Sequence, residues 1–223
     1  MGSDEARART ALEAAHDADQ GMLTRLIQQV LDCGLDGFGP YDSAAEVAAK
    51  ARSETSSVAA AVKKVTRSHV LGAGVGGFAT GVGGFVTLPV ALPANVLEFY
   101  VQAARLVGAV AVLRGYDVAD QRVRMAVLLT LSGADADDVL AKAGLSTGGG
   151  RLASLATRRM PPAAVVLVNK AVAFRLLRTL GDSVLTRLGK GVPLVGGAVG
   201  ASFDGYLMKK IAERAEREFP PAD

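Results

Sequence analysis

The feature that most constrains this chain is residues 70–97, a stretch of 28 positions without one charged side chain. That length suffices to cross a bilayer as a single helix. It is crowded with glycine, however, and Pro89 and Pro93 interrupt any one continuous helix. The expectation is therefore a helical hairpin, buried in the protein or resting in a membrane. Its glycines fall at four-residue spacing twice, Gly72 with Gly76 and Gly77 with Gly81. Such spacing lets helix backbones approach closely, within one chain or across a homodimer. A second glycine–proline element, residues 189–205, reads as a related hairpin.

Composition points the same way. Half of the 223 residues are hydrophobic, only 5% are aromatic, and tryptophan is absent. Alanine, valine and leucine dominate, which suits close-packed helices better than alternating strands. Disorder of the whole chain is excluded, because the apolar surface to be buried far exceeds what ordering requires. The expected fold is all-α, a multi-helix bundle of seven to nine helices carrying two glycine- and proline-rich hairpins. The lone Cys33 excludes a disulfide framework and fits a reducing compartment. With two histidines, His16 and His69, no metal site is expected, and no cofactor either.

The helices can be placed by period and caps. Residues 6–31 carry Leu12, Met22, Leu23, Leu26, Ile27, Val30 and Leu31 at helical spacing. Residues 31–44 read as a loop marked by Gly34, Gly37, Gly39 and Pro40. A helix is expected over residues 43–69, with Glu46 near its start and Lys63, Lys64 and Arg67 near its end. Pro93 opens the next helix, which runs to Gly115, and Asp117 or Asp120 starts another that stops at Gly133. Further helices are expected over about 135–143, 163–180 and 182–188, and a last one ends before the tail.

Residues 84–118 and 192–215 together resemble the EcsC protein family. The likeness lies in the glycine-rich entry, the paired prolines, Gly115-Tyr116-Asp117, and the later Pro193, Gly196 and Gly200. It divides the chain into N-terminal amphipathic helices at 1–65, an EcsC-like helical domain at 66–219, and a tail at 220–223. The resemblance implies an α-helical bacterial protein, cytoplasmic or peripheral to the inner membrane. It implies no particular reaction.

Charge narrows the partners. The net charge is +3, yet residues 1–150 carry 13 Lys/Arg against 16 Asp/Glu, and residues 151–223 carry 12 against 6. A basic C-terminal third on an apolar protein fits an anionic lipid surface or a phosphate-bearing ligand, and equally a set of solvated helix faces. No basic patch is interleaved with aromatics, so nucleic acid is not expected.

Three groups of residues can carry chemistry. Asn95, Glu98, Gln102 and Arg105 recur at i, i+3, i+7 and i+10 on an otherwise apolar helix. They form either a solvated face or a polar stripe lining a ligand groove; if buried, Glu98 and Arg105 need partners. Asn169, Lys170 and Asp204 interrupt other apolar runs and are candidates for the same internal network. Asp135, Asp137 and Asp138 spell D-x-D-D, the pattern from which class II terpene cyclases draw a proton donor. Simple capping explains it as well, with Asp135 as N-cap and the other two in the first turn. Two functions follow: a membrane-associated accessory or hydrophobic-ligand-binding protein, or a soluble helical enzyme acting on an isoprenoid or lipid-like substrate.

Overall fold

The computed structural model describes residues 24–39, 41–75, 94–132 and 196–222, and among them the chain is helical with no strand. Six helices follow in order: α1 (residues 24–35), α2 (Ala44–Ser53), α3 (Val58–Val75), α4 (Ala94–Leu113), α5 (Gln121–Ser132) and α6 (Gly196–Glu218). The all-α expectation holds. The expected helices over 135–188, and the two hairpins between residues 76 and 93 and between 189 and 195, lie outside the described residues.

Helix α4 is the axis of the bundle. Ala103, Ala104, Leu106, Val107, Ala109, Val110 and Ala111 are all fully buried, so the helix is covered on every side. Its small side chains make this feasible, since alanine and glycine let several neighbours approach one backbone. Helices α2, α3, α5 and α6 all pack on it, α3 and α5 also pack on α6, and α2 packs on α3. Helix α6 contributes a stripe of Met208, Ala212, Ala215 and, just past its end, Phe219. Lys209, Lys210, Glu213, Glu216 and Arg217 face out.

Local chemistry explains the helix ends. Ser43 and Glu46 form a capping box at the start of α2: the Ser43 hydroxyl accepts the Glu46 amide, and a Glu46 carboxylate oxygen accepts the Ser43 amide at 2.7 Å. Helix α4 ends in a left-handed Gly115, φ +93°, with the Gly115 amide on Val112 O and the Tyr116 amide on Ala111 O. This is the Schellman arrangement, which only glycine adopts without strain. Asp120 caps α5 by accepting the Arg122 amide at 2.8 Å, one of the two expected starts. The tail then seals the Gly115 corner. Phe219 meets Tyr116 edge-on at 5.3 Å, and the Ala222 amide donates to Arg114 O at 2.7 Å.

The structure corrects four placements. Helix α1 continues through Leu35, so Gly34 is a helical residue and not part of the loop. The expected helix over 43–69 is two helices, because Ser53, Glu54, Thr55, Ser56 and Ser57 offer the backbone side-chain and turn hydrogen bonds in place of helical ones. Lys63, Lys64 and Arg67 are therefore central in α3, which extends to Val75. Residues 196–205, expected in the second hairpin, form the first turns of α6.

The close glycine contacts also sit elsewhere than expected. A Cβ on Gly72 would meet nothing within 4 Å among the described residues. A Cβ on Gly34 would lie 2.6 Å from Ala104 Cβ, and one on Gly108 would lie 2.3 Å from Leu35 Cδ2. The α1–α4 crossing is thus the tight one.

Candidate functional site

Helix α4 carries the expected polar stripe on this buried axis. Asn95 lies in its first turn, followed on the same side by Glu98, Gln102 and Arg105. Beside it a small apolar cluster joins Leu97 and Val101 of α4 to Leu26 and Val30 of α1, with Cys33 and Tyr100 at its edge.

Arg105 is the centre of the stripe and only 5% exposed. Its Nη1 donates to Gln102 Oε1 and its Nη2 to the Cys33 carbonyl, both at 3.3 Å. The guanidinium carbon lies 5.6 Å from the centre of the Tyr41 ring. That ring is delivered by the turn after α1, where Gly37 at φ +84° lets Phe38 and Tyr41 exchange backbone hydrogen bonds. Arg105 Nε is buried with no hydrogen-bond partner. Burial pulls the guanidinium below its ordinary pKa, and nearby Asp42, Cys33 and Tyr41 oppose that pull.

Glu98 is half-buried, and its Oε1 is enclosed with no partner. Burial alone pushes its carboxyl above the ordinary value. Helix α3 supplies two more polar groups. Thr66 Oγ1 is buried without a partner. One turn later, His69 Nδ1 lies 2.9 Å from Val65 O, which fixes the proton on Nδ1 and leaves Nε2 with its lone pair. Burial, and then the charge of Arg105, pull His69 below its ordinary value, so the neutral imidazole is favoured. His69 is therefore within electrostatic reach of Arg105.

Arg114 Nε, past the end of α4, is likewise enclosed without a partner, whereas the polar groups of α5 are paired. In α5, the Thr130 and Ser132 hydroxyls donate to Ala126 O and Leu129 O, one turn back. Arg124, at the start of the same helix, binds Asp32 at 2.9 Å, Asp36, and Val118 O at 3.2 Å. That cation clamps the end of α1 to α5, with each of its three nitrogens hydrogen-bonded. Arg105 has no carboxylate within ion-pair distance among the described residues.

The remaining sequence candidates are placed as follows. Glu98, Gln102 and Arg105 lie together on one face, and Gln102 bonds to Arg105. Asp204 is half-buried in α6 and does not hydrogen-bond to Arg105. Asp135, Asp137, Asp138, Asn169 and Lys170 lie outside the described residues, as do the side-chain contacts of Asn95. Sequence reasoning missed Thr66, His69, Tyr41 and the Cys33 carbonyl. The available signal was Thr66 and His69 one helical turn apart in an alanine- and valine-rich segment. Cys33 is half-buried with its thiol pushed up mainly by burial, so its contribution is its carbonyl. Among the described residues no three His, Cys, Asp or Glu gather as a metal site, and no helix is long and apolar enough to cross a membrane.

No curated protein and no solved structure matches the chain. The model of the EcsC protein family matches residues 20–220, which takes in all six helices and the polar stripe of α4. The chain belongs to the EcsC protein family.

Proposed function

We propose that this chain is a helical binding protein that holds an amphiphilic small molecule against the Glu98–Gln102–Arg105 face of α4. The observation behind this reading is that, of the enclosed polar atoms without partners among the described residues, Thr66 Oγ1, Glu98 Oε1 and Arg105 Nε lie on the adjacent helices α3 and α4, while Arg114 Nε lies past the end of α4. Buried polar groups in native proteins are nearly always paired, and those left open mark places that water, an ion or a ligand completes. The apolar cluster of Leu26, Val30, Leu97 and Val101 next to the stripe offers a wall for a hydrocarbon body.

Peripheral contact with anionic lipid is the second reading and rests on the basic C-terminal third. The exposed face of α6 favours it less, because Glu213 and Glu216 stand among Lys209, Lys210 and Arg217. An enzymatic role through Asp135, Asp137 and Asp138 draws nothing from the described residues.

Thermal unfolding of the purified chain against a panel of fatty acids, alkyl phosphates and isoprenols tests the reading. A ligand at a hundred times its Kd contributes about 2.7 kcal/mol. For a chain of this size that corresponds to a rise of roughly 5–10 °C in melting temperature. Glu98→Ala should shrink the rise. A flat response across the panel, with no small molecule released on solvent extraction, overturns the reading.

A further inference from the structure

We infer that Arg105 is the counterion for an oxyanion, a phosphate or carboxylate, at the polar end of the bound molecule; this rests on the binding function proposed above. A guanidinium has five N–H donors in a rigid fork. Two of them are used here, on Gln102 Oε1 and Cys33 O, and both acceptors are neutral. At 3.3 Å each bond is longer than the 2.7–2.9 Å that is usual when a charged donor meets a charged acceptor. The Tyr41 ring adds a neutral, electron-rich face.

A buried cation whose direct contacts are all neutral is electrostatically incomplete. The same bundle shows what completion looks like, in Arg124 with Asp32 and Asp36. Asp42 does bear on Arg105 electrostatically, yet it is exposed and makes no ion pair with it. The enclosed Nε still lacks an acceptor, and a planar or tetrahedral oxyanion is the kind of acceptor for which arginine's fork is suited and lysine is not. His69, on α3, feels the Arg105 charge. Its neutral form leaves the Arg105 charge uncancelled, and an anion beside Arg105 would raise its affinity for a proton.

Calorimetric titration of the full chain with octyl phosphate, octanoate, octanol and inorganic phosphate separates the outcomes. The expected result is at least tenfold tighter binding of one octyl anion than of octanol, with the preference abolished in Arg105→Gln and octanol binding retained. Arg105→Lys should restore only part of the preference. In wild type, the His69 imidazole resonance, assigned with His69→Gln, should titrate at higher pH when the anion is bound. Inorganic phosphate binding as tightly as octyl phosphate, and lost in Arg105→Gln, also supports the oxyanion site and assigns it to a free anion and not to a headgroup. Octanol binding as tightly as both octyl anions overturns the inference and leaves the binding function standing. Failure of all four ligands to bind overturns both. Should Arg105→Gln fail to fold, the wild-type comparison of charged with neutral ligands still decides.

Discussion

Three helical glycines separate close packing from mere glycine content, because alanine at each should shift stability by a different amount and sign. At Gly108 an added Cβ would sit 2.3 Å from Leu35 Cδ2 and 2.9 Å from Ala44 Cβ, where carbon atoms normally rest about 3.5–4.0 Å apart. Leu35 is 1% exposed and has nowhere to turn. At Gly34 the obstacles are stiffer: Ala104 Cβ at 2.6 Å, Val101 O at 2.8 Å and Arg105 N at 3.1 Å. Relief there requires α1 to move off α4. Overpacking of this kind costs about 1–3 kcal/mol, against about 0.5–1 kcal/mol returned by the better helix propensity of alanine. Gly34→Ala and Gly108→Ala should therefore lose roughly 1–2 kcal/mol, with Gly34→Ala the worse. Gly72→Ala meets nothing within 4 Å among the described residues and should gain about 0.5–1 kcal/mol. Urea unfolding followed by far-ultraviolet circular dichroism reads all three, provided the slopes match. If Gly34→Ala and Gly108→Ala raise the midpoint as Gly72→Ala does, the α1–α4 crossing is not glycine-limited and the packing argument fails.

Arg124→Ala leaves Asp32 and Asp36 without their shared cation; both acids are more than half exposed, so the expected loss is about 1 kcal/mol, smaller in high salt, read as a salt series of unfolding midpoints. Phe219→Ala empties a fully buried site against Tyr116 and should cost roughly 3–5 kcal/mol by the same assay; an unchanged midpoint would show that the tail does not seal the Gly115 corner. His69 gives a pH dependence whose sign follows from its lowered pKa. The unfolded chain takes up a proton near the ordinary value of 6.5 while the folded chain resists it, so stability is complete above that value and falls as the pH drops below it. The slope approaches about 1.4 kcal/mol per pH unit at most, and His69→Gln should flatten it in melts between pH 7 and 5.

Helix period and cap chemistry were enough to locate most of the bundle from sequence. Leu26, Ile27, Val30 and Leu31 were legible as one buried face, and Gly115, Asp120 and the end of α6 were legible because each has a distinct local signature. Glycine was harder to read. Gly34 looks like the first residue of a loop that also holds Gly37 and Gly39, and only the partner helix reveals that it marks a backbone crossing. Conversely, the four-residue spacing that drew attention to Gly72 has no neighbour behind it at that position among the described residues. The break between α2 and α3 was hidden because helical spacing resumes on both sides of Ser53–Ser57 with little change of phase. The stripe of Glu98, Gln102 and Arg105 followed from spacing alone. Tyr41 and His69, which bear on Arg105, come from other elements, and no spacing within one helix encodes them.

Buried Arg105 and half-buried Arg124 differ in what the fold gains from each. Arg124 joins two helices through two carboxylates and a carbonyl, and removing it would leave those groups facing one another. Arg105 joins its own helix to a single carbonyl at the end of α1, over a crossing already fixed by Gly34, Ala104 and Gly108. Apolar residues of similar volume commonly replace buried charges without loss, and sometimes with a gain of 1–4 kcal/mol. A helix that buries Ala103, Ala104, Leu106 and Val107 around this position has no packing need for a guanidinium. The Arg105 charge thus sits where the fold gains little from it, and the proposed oxyanion would give it the partner that Arg124 already has.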